Sequence, residues 1–185
     1  MKPKTTRTTS LFLACCQELL AKRYLPRIVE CLQQLSEEEI WWRPNSASNS
    51  AGNLVLHLCG NARQWIISGL GGKEDTRERD REFAEQGPIP RQALTAQLRR
   101  TIRDACRVLT RLSDDSLSRE YEIQGYHVTG LYAAFQVAEH LSHHAGQIIY
   151  ITKLRRAQDL SFTKLPVVKR PIKKQVVRST TAHAD

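Results

Sequence analysis

The chain of 185 residues is one domain long, and its 41% apolar and 25% charged residues suit a folded protein with a single core rather than a fibrous or disordered one. Its net charge of +9 sits at the ends: residues 1–10 carry three cations and no acid, residues 157–185 carry six cations against two acids, and the body between them is nearly neutral. The body is therefore not a nucleic-acid-reading surface, no apolar run reaches the roughly 18–20 residues of a spanning helix, and the five scattered cysteines, without a CxxC pair, give no sign of a disulfide framework or a thiolate zinc site.

Residues 1–9 read as a flexible basic N-terminus. The apolar run Leu11 to Cys16 is too short for a secretory core and meets Gln17 and Glu18 at once, so a cytoplasmic location is expected. A first helix is predicted from about Ser10 to Gln34, with apolar residues every three to five positions and a kink at Pro26. Ser36 to Glu39 has the form of a capping box opening a short turn that Pro44 ends. The polar loop Asn45 to Ser50 can cap a second helix running from Ala51 to Leu70, stopped by Gly71 and Gly72. KEDTRERDRE, residues 73–82, reads as a solvated loop or short helix. A third helix is expected from Pro90 to Leu112, then a connector with at most two extended pieces around Tyr121–Ile123 and Tyr126–Val128. Gly130 opens a fourth helix that continues to Arg156, and residues 157–185 read as a basic, disordered tail.

Four long helices and no strand-rich region predict an all-α four-helix bundle over residues 10–156. The fourth helix is apolar nearly all round, which suits a helix packed against a second subunit, so a homodimer is expected.

That helix also holds HLSHHAGQ, residues 140–147, with three of the six histidines. On a helical wheel His140 and His144 share one stripe, about 40° apart, while His143 falls to the side. An i, i+4 pair can lean onto one ion but leaves the coordination sphere half empty. The candidate third ligand is His57 in NLVLHLCGN, flanked on its polar stripe by Asn53, Asn61 and Gln64, which we take as candidate pocket residues. Three neutral imidazoles with an open fourth position would make a catalytic rather than a structural metal site. Spacing alone leaves a hydrogen-bonded histidine pair equally open. Cys59, two residues from His57, points away on a helix, and Glu139 is displaced about 100° from His140, so neither is a natural partner.

His57 in NLVLHLCGN followed by a late H-x3-H and a Gly-Gln pair, together with WWRPNSASNSAGN, RQWIISGLGG and TRERDREF, resembles the DinB/YfiT-like superfamily over residues 10–156. The resemblance implies a four-helix fold, a divalent ion, zinc or nickel foremost, on His57, His140 and His144, and a homodimer. Ala145 stands where many relatives carry arginine, so no role of that arginine is carried over.

The functional expectation is a divalent-metal-dependent enzyme acting on a small molecule through activated water, as a hydrolase, or through a thiol, as a transferase. No catalytic side chain is identified; Tyr132, Arg63, Arg77, Arg79 and Asp80 are further candidates. The alternative is a non-catalytic, metal-stabilised helical dimer, or stress-response protein. The C-terminal tail is expected to contact nucleic acid weakly at most, since no aromatic beyond Phe162 interleaves its cations.

Overall fold

The protein is described by a computed structural model covering residues 5–162. The first helix starts at Arg7 because Thr6 caps it, its hydroxyl accepting from the Thr9 amide. It runs as α1 (Arg7–Gln17), a widened π-helical stretch (Glu18–Tyr24) and α2 (Leu25–Gln34). The predicted irregularity at Pro26 takes this form: Pro26 lacks an amide hydrogen and crowds the carbonyl four residues back, and the turn before it opens so that the Leu25 amide reaches Leu20, five residues back.

The capping box at Ser36 opens α3 (Glu37–Trp41), and a second one, Ser50 with Asn53, opens α4 (Ala51–Ala62). This helix also continues as a π-helical stretch, Arg63–Leu70, and ends at Gly71 and at Gly72, whose φ of +71° suits glycine. The charged run 73–82 leads into a short helix, α5 (Arg79–Ala84), which packs on α4.

The third long helix, α6 (Arg91–Leu109), is shorter than expected at its C-terminus. The amides of Arg111 and Leu112 bond three residues back, tightening the predicted last turn. After α7 (Asp114–Ser118), the two expected extended pieces form an antiparallel hairpin, β1 (Glu120–Ile123) and β2 (Tyr126–Thr129), with Ile123 opposite Tyr126. Its turn residues Gln124 and Gly125 both have positive φ, as a two-residue hairpin turn requires. Thr129 then caps α8 (Gly130–Arg156).

The long helices α1–α2, α4, α6 and α8 enclose one core, including Leu20, Ile28, Leu32, Leu54, Leu58, Ile66, Leu98, Ile102, Leu109 and Ile148. The fold is thus the expected helical bundle, with one small hairpin among the described residues. On α8 the buried side is Ala133, Val137, Leu141, Ala145, Ile148 and Ile151, whereas Leu131, Phe135, Tyr150 and Leu154 are about half exposed. No helix of the described residues is long and apolar enough to cross a membrane.

Both expected chain ends shift by a few residues. Residues 7–9 are helical, and at the other end Leu160 is buried and Phe162 packs on the core beneath the Arg27 guanidinium. The rest of the tail, residues 163–185, lies outside the described residues, as do residues 1–4.

One buried side chain ties these elements together. Asn53, fully buried, accepts through Oδ1 from Ser50 and Arg43, and its amide donates to the carbonyls of Glu82 and Glu85 at 3.0 and 2.7 Å. Asn53→Ala should therefore lower unfolding free energy by about 2–3 kcal/mol in urea titrations, since it removes the side-chain half of the Ser50 capping box and strands buried carbonyls. A loss below about 0.5 kcal/mol would contradict this role for Asn53.

Candidate metal centre

His57 projects from the middle of α4, and His140 and His144 project from successive turns of α8, the neighbouring long helix. Their ligand nitrogens lie within 4.8 Å of one another. Nε2 of His57 and Nε2 of His140 are 2.8 Å apart. Ring centroids in the cluster are 4.4–5.0 Å apart and each pair of rings stands edge to face. The structure thus brings together the three histidines that the sequence singled out.

The outer nitrogens of two rings are already committed. His57 Nδ1 is 2.9 Å from Glu82 Oε2, and His144 Nδ1 is 2.6 Å from the side-chain oxygen of Gln147. The Glu82 carboxylate and the Gln147 amide oxygen only accept, so each of these bonds takes a proton from Nδ1 and turns an Nε2 lone pair toward the cluster; Arg77 Nη2, a donor only, also lies 3.1 Å from His57 Nδ1 but is satisfied by Glu82 Oε2 at the shorter 2.9 Å. This is the arrangement by which proteins hold a metal-ligating imidazole in one tautomer.

Arg77 sets the charge of that outer layer. Its guanidinium donates to both oxygens of Glu82 at 2.8 and 2.9 Å and to Gln64 at 2.9 Å, while Gln64 in turn donates to Asp75. Burial alone would raise the Glu82 pKa, but hydrogen bonds from Arg77 and His57 outweigh it and hold the carboxyl below its ordinary range. Glu82 therefore stays an acceptor for His57, and Arg77 balances its charge in a largely buried place. Gly60 makes this packing possible: a Cβ there would overlap Glu82 Oε1 and lie 2.8 Å from Arg77 Nε.

The inner ligands are kept neutral. Burial, then the neighbouring His144 and His57, push the His140 pKa down to about 3, and burial likewise lowers that of His144. Neutral imidazole is the form that binds a metal. Tetrahedral coordination at about 2.0–2.1 Å separates ligand nitrogens by about 3.3 Å, so the 2.8 Å pair needs to open by only about half an ångström. The donor set fits a divalent ion.

A cavity of about 370 Å³ adjoins the cluster. His57 and His140 form part of its wall, with Asn61, Trp65, Tyr132 and Arg79 among the others. The three candidate pocket residues separate here. Asn61 does line the cavity; Asn53 is buried as the partner of Ser50 in the capping box and as a clamp on α5, and Gln64 braces Arg77. Of the other candidates, Tyr132, Arg77 and Arg79 reach this cavity, Arg63 lines a different one, and Asp80 is exposed. Cys59 is buried with its thiol pKa pushed up to about 12, far from a thiolate ligand. His143 is exposed, touches His144 edge-on and lines a separate groove.

Sequence reasoning allowed a short helix here but missed the role of α5. Residues 73–82 read as a solvated loop or short helix, yet Glu82 bonds His57 and Phe83 lies against its ring at 4.7 Å. Phe83 interrupting a charged stretch, and the bare Gly60 one turn after His57, were the available signals.

A family model described as a protein of unknown function, DUF1572, matches residues 8–169. No curated protein matches the sequence. Among solved structures, a conserved protein of Enterococcus faecalis is similar at a TM-score of 0.63 and 18% identity, over 84% of this chain and 99% of that one. The DinB-like protein YjoA of Bacillus subtilis is similar at 0.57 and 19% identity, over 82% and 94%. A DinB-like protein of Bacillus cereus follows at 0.55 and 19%, over 74% and 87%. At such identities the likeness is one of fold, and the fold is DinB-like.

Two measurements test the centre. Gly60→Ala should displace Glu82 and Arg77 and weaken zinc binding by about 10–100-fold in a competitive chelator titration, although no ligand is changed; unchanged affinity would refute the outer layer's role. The second is pH dependence. A histidine in the unfolded chain ionises near 6.5, whereas folded His140 resists protonation to about pH 3. Between those values the unfolded state binds the extra proton, so this contribution to stability is complete above about pH 6.5 and is lost as pH falls toward 3. Metal-free protein should lose thermal stability from pH 7 to 5, and His140→Gln should lessen that slope; an equal slope in both would be evidence against it.

Proposed function

The chain belongs to the DUF1572 family with a DinB-like fold, and on that premise we propose that it is a divalent-metal-dependent enzyme acting on a small molecule. The observation that carries this reading is three imidazoles converging beside a cavity of about 370 Å³, the size of a small-molecule site. Zinc or nickel on His57, His140 and His144 would be held by Nε2 of at least His57 and His144, whose Nδ1 atoms are committed to Glu82 and Gln147. Three protein ligands leave a position open, and an ion so held lowers the pKa of water or a thiol there. Both hydrolysis and thiol transfer fit that chemistry.

The protein's own residues would hold and orient. Glu82 keeps the His57 tautomer, Arg77 keeps Glu82 ionised, and Asn61 on the cavity wall offers both a donor and an acceptor to a bound molecule. Trp65, whose indole donates to Gln124 at 3.2 Å, gives the cavity a fixed apolar wall.

A second reading, a non-catalytic metal-stabilised homodimer, draws on the half-exposed Leu131, Phe135, Tyr150 and Leu154 of α8. Such apolar exposure on one helix suits a second copy of the chain. The dimer is compatible with either function, and the two readings differ in turnover.

Metal analysis of purified wild type and His144→Ala, alongside a screen of ester, amide and thiol-acceptor substrates, tests the proposal. About one divalent ion per chain and measurable turnover are expected in wild type, with both lost in the variant. Metal that raises the melting temperature without turnover of any substrate would instead favour the non-catalytic dimer. Wild type that binds no divalent ion would overturn both.

A further inference from the structure

The cavity beside the histidines has a one-sided charge. Arg77 and Arg79 are in its lining, and no carboxylate is. Arg77 is spent on Glu82 and has a side chain only 2% exposed. Arg79 is different: it is exposed, it forms no ion pair with any described carboxylate, and its guanidinium lies 5.0 Å over the Phe83 ring. Phe83 in turn packs against His57, ring centroids 4.7 Å apart and tilted by 38°. The series Arg79–Phe83–His57 therefore holds a free cation at the cavity wall, fixed relative to a candidate metal ligand. Cation–π contact with Phe83 orients the guanidinium while leaving its donors free, and those donors match a carboxylate or phosphate in a bidentate fashion.

The rest of the lining includes an aromatic group. The Trp65 ring centroid lies 6.4 and 6.5 Å from those of Tyr126 and Tyr132, the rings tilted by 31° and 49°, an aromatic surface carried by the stretch Arg63–Leu70, the hairpin and α8. Rings so placed offer their faces or edges to a planar molecule.

We infer that this cavity selects a small anionic substrate with a flat apolar body, its negative group paired with Arg79 and its body against Trp65 and Tyr132. The inference rests on the metal-site reading above and deepens it by assigning Arg79 as a specificity residue. Arg79 belongs to α5, the same short helix that fixes His57 through Glu82, so one element both orients a ligand and reads the substrate's charge.

The test uses hydroxamates as probes, because they bind zinc directly and their other end can be varied. Zinc-loaded full-length protein is titrated calorimetrically with acetohydroxamate, benzohydroxamate and 4-carboxybenzohydroxamate. Benzohydroxamate should bind more tightly than acetohydroxamate, and the added carboxylate should strengthen binding by about tenfold more, a gain that weakens with salt. Arg79→Met should abolish the carboxylate gain and leave benzohydroxamate binding and zinc content unchanged; Arg79→Lys should restore part of the gain. A carboxylate preference that is absent, or that survives Arg79→Met, overturns the inference and leaves the metal site standing. Zinc-loaded wild type that binds none of the three probes overturns this inference alone, whereas wild type that takes up no zinc overturns the metal reading and this inference with it.

Discussion

The hydrogen bond from His57 Nδ1 to Glu82 is the contact on which the rest of the site depends. It decides which nitrogen of His57 carries the proton, and so whether Nε2 can face the other two histidines as a ligand. Much of the surrounding packing serves this one contact. Asn53 anchors the backbone of α5 to the start of α4, Gly60 leaves room for the carboxylate, and Gln64 holds the arginine that neutralises it. His57 and its support thus come from α4 and the segment it clamps, while His140, His144 and Gln147 come from α8.

An ion pair in this place does little for net stability, because removing two charges from water offsets most of their attraction. Its effect is on geometry. Glu82 without Arg77 would be an uncompensated buried anion next to a candidate cation site, free to compete as a ligand itself. With Arg77 engaging both oxygens, the carboxylate is held at the outer nitrogen. The nearly neutral body of the protein and the local pairing of its buried charges have the same consequence: the charge left free at the cavity is that of Arg79.

The bundle was legible in the sequence because its helices carry strong periodic and capping signals. The capping box at Ser36, the polar loop ending at Ser50, Gly71–Gly72 and Gly130 mark helix ends that the structure reproduces. The histidines were legible in part for a similar reason: i, i+4 spacing fixes a shared face for His140 and His144 whatever the tertiary context, while His57, on a polar stripe with Asn53, Asn61 and Gln64, was joined to them by the family resemblance. The π-helical stretches were not, since they arise from where a carbonyl must move to admit Pro26 or to accommodate packing. The role of α5 was hidden for a different reason. Glu82 and Arg77 look like any solvated pair in a charged run, and only the long-range clamp by Asn53 places them against His57. Asn53 misled in the complementary way, because a polar residue one turn from a histidine reads equally well as a pocket residue or a cap.

The most direct test of the account is the protonation pattern of the three imidazoles, read from long-range nitrogen–proton NMR correlations of 15N-histidine-labelled protein at neutral pH, before and during zinc addition. The account predicts that His57 and His144 carry their proton on Nδ1 throughout, and that their Nε2 resonances shift together with stoichiometric zinc, with one divalent ion bound per chain. Protonation of His57 on Nε2, or Nε2 resonances that do not respond to zinc, would contradict it.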